Sequence, residues 1–406
     1  MGWTTLHLEV TTPLFNGGAD PKQQGPSDSD AGVRVPSLRG AMRFWFRALA
    51  GVVVGPDVQR LARVERRVFG STEAASPVKL RIPRQPLLSR PGHPDFIHDP
   101  LGGRVVYLLG QGLGDLRQRR VIRPYVAPKQ RFDLQLRFTG GGEEGALVVA
   151  ALWLLCAYGG VGARTRRGFG GLRIIGADGP LPPPWDQTTV LSPGLEHYES
   201  LRYLWPSGPI ERCMPSLIGL CKPRTDWSSP PTYPVLSKHF TKAGTSGGDT
   251  FRDWPYVLAH AGEQLRWFRA SKDYPQAPYP EPKIKTPEWD EVVHGGSDHF
   301  GLGALGLPVV YKDTYEVNAD RGGPSHAEPL RRASPLWLRP VGAGSRWRLL
   351  SFAFQGEFLP SPAVKVHLWH GGSQRKLLRV EHQDVVERTN RWIETMRQDG
   401  TFVRNT

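Results

Sequence analysis

The chain has 406 residues, enough for two domains that bury their own cores without disulfides. Lys and Arg together number 52 against 38 Asp and Glu, and the net charge of +14 favours a polyanionic partner, nucleic acid before an anionic membrane surface. The three cysteines, Cys156, Cys213 and Cys221, form no Cys-x-x-Cys pair, which argues against a disulfide framework and against a zinc ribbon.

Two observations favour a cytosolic, reduced protein. Residues 1–10 lack the basic and apolar regions of a signal peptide. The longest apolar run, residues 146–158, is shorter than the ~20 residues that a membrane span needs. The Arg-rich composition suits RNA, because guanidinium groups bind phosphate bidentately and stack on bases. A GC-rich genome would also raise the Arg, Gly and Pro content.

The first elements in the chain are a strand and a helix. Apolar side chains alternate at Leu6, Leu8 and Val10, which predicts a half-buried strand that ends before Pro13. Further on, apolar residues recur at helical spacing and predict a helix with Ser37 as its N-cap; these residues are Leu38, Met42, Trp45, Phe46 and Leu49.

A row of arginines follows the same helix. Arg39, Arg43 and Arg47 stand four residues apart, so they share one side of the helix. No acidic residue stands between them, and like charges at this spacing repel each other. We expect the row either to meet an anionic group, such as phosphate, or to form a solvated basic face.

The next part of the chain alternates between irregular and regular segments. Residues 58–68 predict a second helix, and residues 78–82 and 105–109 predict possible strands within an irregular insertion. Residues 132–138 alternate strictly between apolar and polar side chains, which predicts a clear strand. A helix over residues 143–158 follows, with acidic residues in its first turn.

The segment after that helix, residues 159–171, is the most informative part of the sequence. It interleaves six glycines with Arg164, Arg166 and Arg167, and it leads into a short predicted strand at 172–175. Glycine lets a ligand approach the main chain, and successive free N–H groups can form an anion-binding concavity. Guanidinium groups nearby suit phosphate. The segment is therefore either a phosphate cradle or a mobile turn with solvated charges.

The order of elements predicts an α+β protein. Strand, helix, insertion, strand, helix, loop and strand match a ferredoxin-like βαββαβ unit with insertions. Consecutive prolines within residues 180–185 mark a linker, so we expect domains at 1–185 and 186–406. The second half repeats the outline weakly around Pro-rich insertions, with strands predicted at 233–240, 307–311, 336–339 and 347–358 and helices at 254–268 and 385–396.

Two segments carry a resemblance to a known family. Thr12-Pro13-Leu14-Phe15-Asn16-Gly17-Gly18 and Arg39-Gly40-Ala41-Met42-Arg43-Phe44-Trp45-Phe46-Arg47 are similar to the first strand end and helix of one RAMP-superfamily group. That group is the first-numbered subunit of the type III-B (Cmr) CRISPR effector complex. Residues 159–171 resemble the glycine-rich loop of the superfamily. Shorter similarities at 306–311 and 331–336 reach the second half, although the resemblance is dense only through residue 175.

The resemblance implies two ferredoxin-like, RAMP/RRM-like domains and a subunit without catalytic activity. Such a subunit holds the 3′ side of a guide RNA and the guide–target duplex, so the implied partners are guide CRISPR RNA, target RNA and other RAMP subunits. No membrane, cofactor or metal is implied. The residues expected to contact RNA come from the strand end, the first helix and the loop: Asn16, Gly17, Gly18, Arg39, Arg43, Arg47, Gly162, Arg164, Thr165, Arg166, Arg167, Gly168 and Phe169.

Within this hypothesis the loop and the arginine row form two walls of one RNA site. Asn16 to Gly18 should lie near the loop, because strand ends and Gly-rich turns gather at one edge of such a sheet. Phe169 stands between two glycines and could either stack on a base or pin the loop to the core.

Other functions stay open on the sequence alone. A guide-processing ribonuclease needs a general acid or base, for which His7 is the candidate, but no cluster of Tyr, Lys and His accompanies it. A protein–protein adaptor would use the basic face against acidic surfaces of neighbouring subunits. Two close histidine pairs are interpreted as solvated side chains rather than metal ligands, namely His294 with His299 and His367 with His370.

Overall fold

The computed structural model describes residues 2–17, 32–98, 101–110, 112–115, 117–221, 223, 227–270, 287–311, 314–320 and 330–398. The strands are β1 Thr4–Val10, β2 Val78–Arg81, β3 Leu88–Ser89, β4 Gly114–Asp115, β5 Arg120–Val121, β6 Tyr125–Val126, β7 Arg131–Phe138, β8 Leu172–Asp178, β9 Thr241–Thr245, β10 Val309–Tyr311, β11 Tyr315–Asp320, β12 Leu336–Ala343, β13 Arg346–Phe354, β14 Lys365–His370 and β15 Ser373–Leu378.

The α-helices are α1 Val35–Val54, α2 Val58–Phe69, α3 Gly102–Leu109, α4 Gly142–Tyr158, α5 Leu195–Ser200, α6 Met214–Leu220, α7 Trp254–Ala270, α8 Pro287–Val293 and α9 His382–Gln398. Short 3-10 helices cover Asp95–Ile97, Gly208–Cys213 and Gly301–Leu305. Among the described residues, no helix has the length and apolar character to cross a bilayer.

The first half of the chain contains an antiparallel sheet in the order β2-β7-β1-β8. With α1 after β1 and α4 after β7, this is the strand order of a ferredoxin-like βαββαβ unit, so the predicted fold class is confirmed. Leu6, Leu8 and Val10 point to one face of β1 and are buried against the helices, whereas His7 and Glu9 lie on the opposite face.

The second half contains a related sheet in the order β12-β13-β9. With α7 after β9 and α9 after the β12–β13 hairpin, it follows the first five elements of the same unit. The helices predicted over 254–268 and 385–396 are confirmed as α7 and α9. The strand predicted at 233–240 is wrong, because the strand begins at Thr241. Pro231 and Pro234 lack the N–H groups that a ladder needs, and Leu236 N donates to Ala48 of α1 instead.

Two expectations in the first half are also corrected. The strand predicted at 105–109 is part of α3, a helix that packs on α7. A short apolar run does not distinguish a strand from a buried helix turn. The two helices approach closely at Gly262, where a Cβ would lie 2.2 Å from the carbonyl oxygen of Arg104. The predicted N-cap Ser37 lies inside α1, which begins at Val35 after Arg34 and has no side-chain cap.

The sheet of the second half is covered on both faces. Trp337 and Phe352 pack with α1 and α4 of the first half in one hydrophobic cluster. Leu338 and Leu349 are an odd number of positions away from these residues, so they point to the opposite face and pack with α7 and α9 in a second cluster. Side chains on both sides of the predicted boundary at residues 185/186 belong to the first cluster, and that boundary stays a prediction.

Candidate nucleic-acid interface

The glycine-rich loop lies directly against the chain that follows β1. Ala163 N donates to Phe15 O at 2.7 Å, and Gly170 N donates to Pro13 O at 2.9 Å. Gly162 has a φ of 91°, and a Cβ on it would lie 2.2 Å from the carbonyl oxygen of Phe15. Only glycine fits in this conformation at this distance. The glycines therefore allow the close approach between loop and strand end that the sequence predicts.

An open groove of about 460 Å³ lies between the loop, the strand end and the first turns of α1. Its lining includes five residues predicted for RNA binding, which are Asn16, Gly17, Gly162, Thr165 and Arg166. Ser37 and Ala41 line it from α1, together with Phe44, Trp45 and Trp337. The predicted proximity of strand end and loop is thus confirmed for Asn16 and Gly17, while Gly18 lies outside the described residues.

The groove meets the N-terminus of α1. No side chain caps this 20-residue helix, and its first turn holds no acidic residue. The free N–H groups of a helix N-terminus carry a partial positive charge and favour anions. Arg34, the residue before the helix, donates from Nη1 to the carbonyl oxygen of Gly17 at 3.2 Å, which places a guanidinium at the groove. The sequence prediction missed Arg34. A basic residue directly before a helix that has no acidic residue in its first turn is a sequence signal for an anion-binding site.

Asn16 is buried, and its side chain supports the groove from inside. Its amide Nδ2 donates to the carbonyl oxygen of Gly32 at 2.7 Å. This bond joins the strand end to the chain just before α1. Asn16 therefore positions the main chain at the groove.

The arginine row of α1 points away from the groove. Arg43 follows Ser37 by six residues, which is about 240° around the axis at 3.6 residues per turn. Its Nη2 donates to the carbonyl oxygens of Phe69 at 3.2 Å and Gly70 at 2.8 Å. The first turns of α1 therefore form the wall opposite the loop. The prediction that the arginine row forms this second wall is wrong.

The anionic group that the row meets is a side chain of α2. Arg47 Nη1 lies 3.2 Å from Glu65 Oε2, and Arg43 Nη1 lies 3.6 Å from Glu65 Oε1. Helical spacing shows which residues share a side of α1, but it does not show which helix packs beside them. Arg39 forms no hydrogen bond or ion pair with the described part of the chain. The role of the row in RNA binding stays a prediction.

The loop arginines differ in their surroundings. Arg164 is exposed and has a positive φ of 62°. Arg166 donates from Nη1 to Ser334 O at 2.6 Å, and its guanidinium carbon lies 5.1 Å from the Trp337 ring centroid, a cation–π contact. Burial and the nearby charge of Arg332 lower the pKa of Arg166 to about 10. Both groups stay positively charged at neutral pH.

Arg167 and the two residues after it anchor the loop in the protein. Burial and the charge of Arg269 lower the pKa of Arg167 to about 10. Gly168 is buried with a φ of 89°, and a Cβ on it would lie 2.5 Å from Leu258 Cδ2. Phe169 is 1% exposed, with its ring centroid 5.9 Å from that of Phe15 in an edge-to-face arrangement. Phe169 pins the loop to the core, the second of its two predicted roles, and has no face open to a base.

His7 lies on the outer face of the first sheet between two carboxylates. Its Nδ1 is 2.8 Å from Asp133 Oδ1 and its Nε2 is 2.9 Å from Asp178 Oδ2. The hydrogen bonds to Asp133 and Asp178 raise the pKa of His7 above its ordinary value, because both partners favour the protonated ring. The three side chains form an ion-paired cluster, and none of them lines the groove.

The other histidines form structural contacts. Within the described ranges, no group of three or more His, Cys, Asp and Glu side chains could hold a metal ion. His299 Nε2 lies 3.0 Å from Asp384, and His367 Nδ1 lies 2.6 Å from Asp320. His367 is therefore buried beside a carboxylate and not solvated, whereas the side chain of His299 is 46% exposed.

Comparison with known proteins gives a consistent result. Residues 7–173 match the RAMP superfamily, a range that includes the strand end, α1 and the glycine-rich loop. The chain is 30% identical over 336 residues to the CRISPR system Cmr subunit Cmr1-1 of Pyrococcus furiosus, which covers 82% of this chain and 83% of that protein. It is 32% identical over 179 residues to subunit Cmr1-2 of the same organism, covering 41% of this chain and 92% of that protein.

A solved structure supports the fold. The apo form of Cmr1 from Pyrococcus furiosus matches with a TM-score of 0.52 and 24% identity, covering 87% of this chain and 88% of that chain. The match extends through both halves of the chain.

Proposed function

The chain belongs to the RAMP superfamily and, within it, to the family of the Cmr1 subunits, and from that premise we propose that it is an RNA-binding subunit of a type III-B CRISPR (Cmr) effector complex. Its partners are guide CRISPR RNA, target RNA and other RAMP subunits. The RNA that lies on it is the 3′ side of the guide or its duplex with the target, the position that the family resemblance implies. The subunit itself does not cleave RNA.

The groove is the observation that carries the proposal. It brings together the loop backbone, the uncapped N-terminus of α1 and the guanidinium group of Arg166, and Arg34 bonds to the lining residue Gly17. None of the described residues that line it is acidic. Main-chain N–H groups and arginines favour phosphate oxygens without reading the base sequence. Such a site suits a guide, because the guide sequence varies while its holder does not.

A charge placed in the groove tests this assignment. Ser37→Asp introduces a carboxylate in the first turn of α1, where acidic residues stabilise a helix, so the fold is preserved. We expect the affinity of the full chain for single-stranded RNA to fall about tenfold. This corresponds to about 1.4 kcal/mol of repulsion between the new carboxylate and the RNA phosphates. The measurement is fluorescence anisotropy with a labelled RNA.

Ser373→Asp is the matched control, because Ser373 is exposed on β15 and does not line the groove. It adds the same charge at a remote position, and we expect it to change the affinity less than about twofold, since charges beyond a Debye length are screened. Equal effects of the two variants would show that RNA does not occupy the groove. Loss of neighbouring subunits in the absence of RNA would then favour the adaptor function.

The ribonuclease alternative has a separate test. The full chain is incubated with labelled CRISPR repeat RNA in EDTA, and we expect no discrete product. Discrete cleavage that His7→Gln abolishes would contradict a non-catalytic role. The geometry supports that role, because both ring nitrogens of His7 are held by Asp133 and Asp178 and none of these three side chains lines the groove.

A further inference from the structure

A second, smaller cavity of about 110 Å³ adjoins the groove. The two share Phe44, Arg166 and Trp337 in their linings, so the cavity is a continuation of the groove into the protein. Its other aromatic side chains come from distant segments and are Tyr233, Phe240, Phe354 and Phe358. We call it the aromatic pocket.

Two guanidinium groups line the aromatic pocket without a carboxylate beside them. Arg166 donates to Ser334 O, and Arg332 donates from Nη2 to Glu357 O at 2.6 Å. None of the described lining residues is acidic. Burial, and to a lesser extent the charge of Arg332, lower the pKa of Arg166 to about 10. Two partly buried like charges are unfavourable unless an anion joins them.

The aromatic rings and the cations together fit one kind of group. The guanidinium carbon of Arg332 lies 5.8 Å from the Phe358 ring centroid, and that of Arg166 lies 5.1 Å from the Trp337 ring centroid. Phe44 and Trp337 lie 5.5 Å apart at the border with the groove. Nucleobases are flat and stack on aromatic and guanidinium planes. In an RNA strand each base is linked through its ribose to a neighbouring phosphate.

We propose that the aromatic pocket takes a single unstacked nucleobase of the RNA strand in the groove, with the adjoining phosphate between Arg166 and Arg332. The inference rests on the proposed function. It adds one position at which a base of the RNA strand turns out of the groove and enters the pocket. An RNA strand, rather than a free nucleotide, is the occupant because the pocket opens into the groove through shared residues.

A scan of abasic positions tests the proposal on the full chain. Single-stranded RNAs are prepared, each with one base removed, and their affinities are compared with that of the intact RNA. We expect one position at which removal weakens binding about tenfold, the size of a lost stacking contact. In Arg332→Gln that penalty should fall below about twofold, because the phosphate no longer holds the base in place.

Arg331→Gln is the matched control, since Arg331 is exposed, adjacent and outside the pocket lining. It removes the same charge, and the penalty at the sensitive position should persist. Equal loss of the penalty in both variants would overturn the proposal. A wild-type scan in which every position lies within about twofold would also overturn it, and a protein segment would then be the better occupant.

A measurement on the wild type covers the case in which Arg332→Gln does not fold. RNA with 4-thiouridine at the sensitive position is crosslinked by light, and we expect the crosslink at Tyr233, Phe240 or Trp337. Crosslinks only outside the pocket would contradict the assignment. Tight binding of free AMP or UMP that RNA does not displace would show a separate nucleotide site. Absence of RNA binding by the wild type would instead refute the proposed function itself.

Discussion

Arg339 and Gly159 are joined by a hydrogen bond from the Arg339 guanidinium to the Gly159 carbonyl oxygen, across the two halves of the chain. The same guanidinium donates to the carbonyl oxygens of Cys156 and, at 3.0 Å, of Leu172. Arg339 is 6% exposed, and burial lowers its pKa. The carbonyl groups at the end of α4 have no partner within the helix and carry partial negative charge, so they satisfy a buried cation.

Removal of this guanidinium should destabilise the protein. We expect Arg339→Met to lower the free energy of unfolding by about 2–4 kcal/mol, because it leaves buried carbonyl groups without donors. Arg346→Met, on the adjacent strand and exposed, should change it by less than about 0.5 kcal/mol. Urea unfolding of both variants gives the comparison. A similar small change in each would mean that the Arg339 bonds contribute little.

The two sides of α1 should differ in their contribution to RNA binding. Arg34→Gln removes a charge at the groove, and we expect it to reduce the slope of log affinity against log salt by about 0.7–0.9, equivalent to one phosphate contact. Arg39→Gln removes the same charge on the side of the arginine row and should leave the slope unchanged. The reverse result would show that RNA meets the arginine row, as the sequence suggested.

Phe169 should affect stability and not RNA affinity. Phe169→Leu is expected to lower the free energy of unfolding by about 1–2 kcal/mol, because a buried ring is replaced by a smaller side chain. RNA affinity, measured well below the melting temperature, should stay the same. Phe44→Leu is the contrast, since Phe44 lines both the groove and the aromatic pocket, and it should weaken binding. Equal loss of affinity in the two variants would mean that Phe169 reaches the RNA.

The His7 cluster should give the protein a measurable pH dependence. Because hydrogen bonds to Asp133 and Asp178 raise the pKa of His7, its contribution is fully present below the unfolded value of about 6.5 and is lost as pH rises through the folded value. The side chain is 37% exposed, so solvent screening limits the contribution to about 0.2–1 kcal/mol.

His7→Gln should therefore lose less stability than the wild type between about pH 5.5 and pH 8.5. Urea unfolding at several pH values measures the difference. His239→Gln, at an exposed histidine without an ion pair in the described part of the chain, serves as the control. Parallel curves for wild type and His7→Gln would show that the two carboxylates do not stabilise the ring.

Sequence reasoning was most successful where local pattern decides structure. Alternation at Leu6, Leu8 and Val10 and the six glycines of residues 159–171 were enough to place β1 in a ferredoxin-like sheet and the loop beside the end of β1. The groove lining at Asn16, Gly17 and Arg166 followed from that topology.

The missed features all depend on contacts between distant segments. Glu65 neutralises the arginine row from a second helix, and Trp337 supports Arg166 from a strand that follows it by more than 150 residues. The apolar run that forms α3 fits a strand or a helix equally well until its packing partner α7 is known. Local periodicity contains none of this information.

The second sheet has consequences for any attempt to divide the chain. Trp337, Phe352 and Phe354 of that sheet complete the packing around Phe44 and Trp45. A fragment that ends near residue 185 would leave those two rings facing water, and a fragment that begins there would expose the opposite surface. Either piece would be prone to aggregate through a large aromatic face. The packing around Phe44 and Trp45 in the first half is thus completed by side chains of the second half.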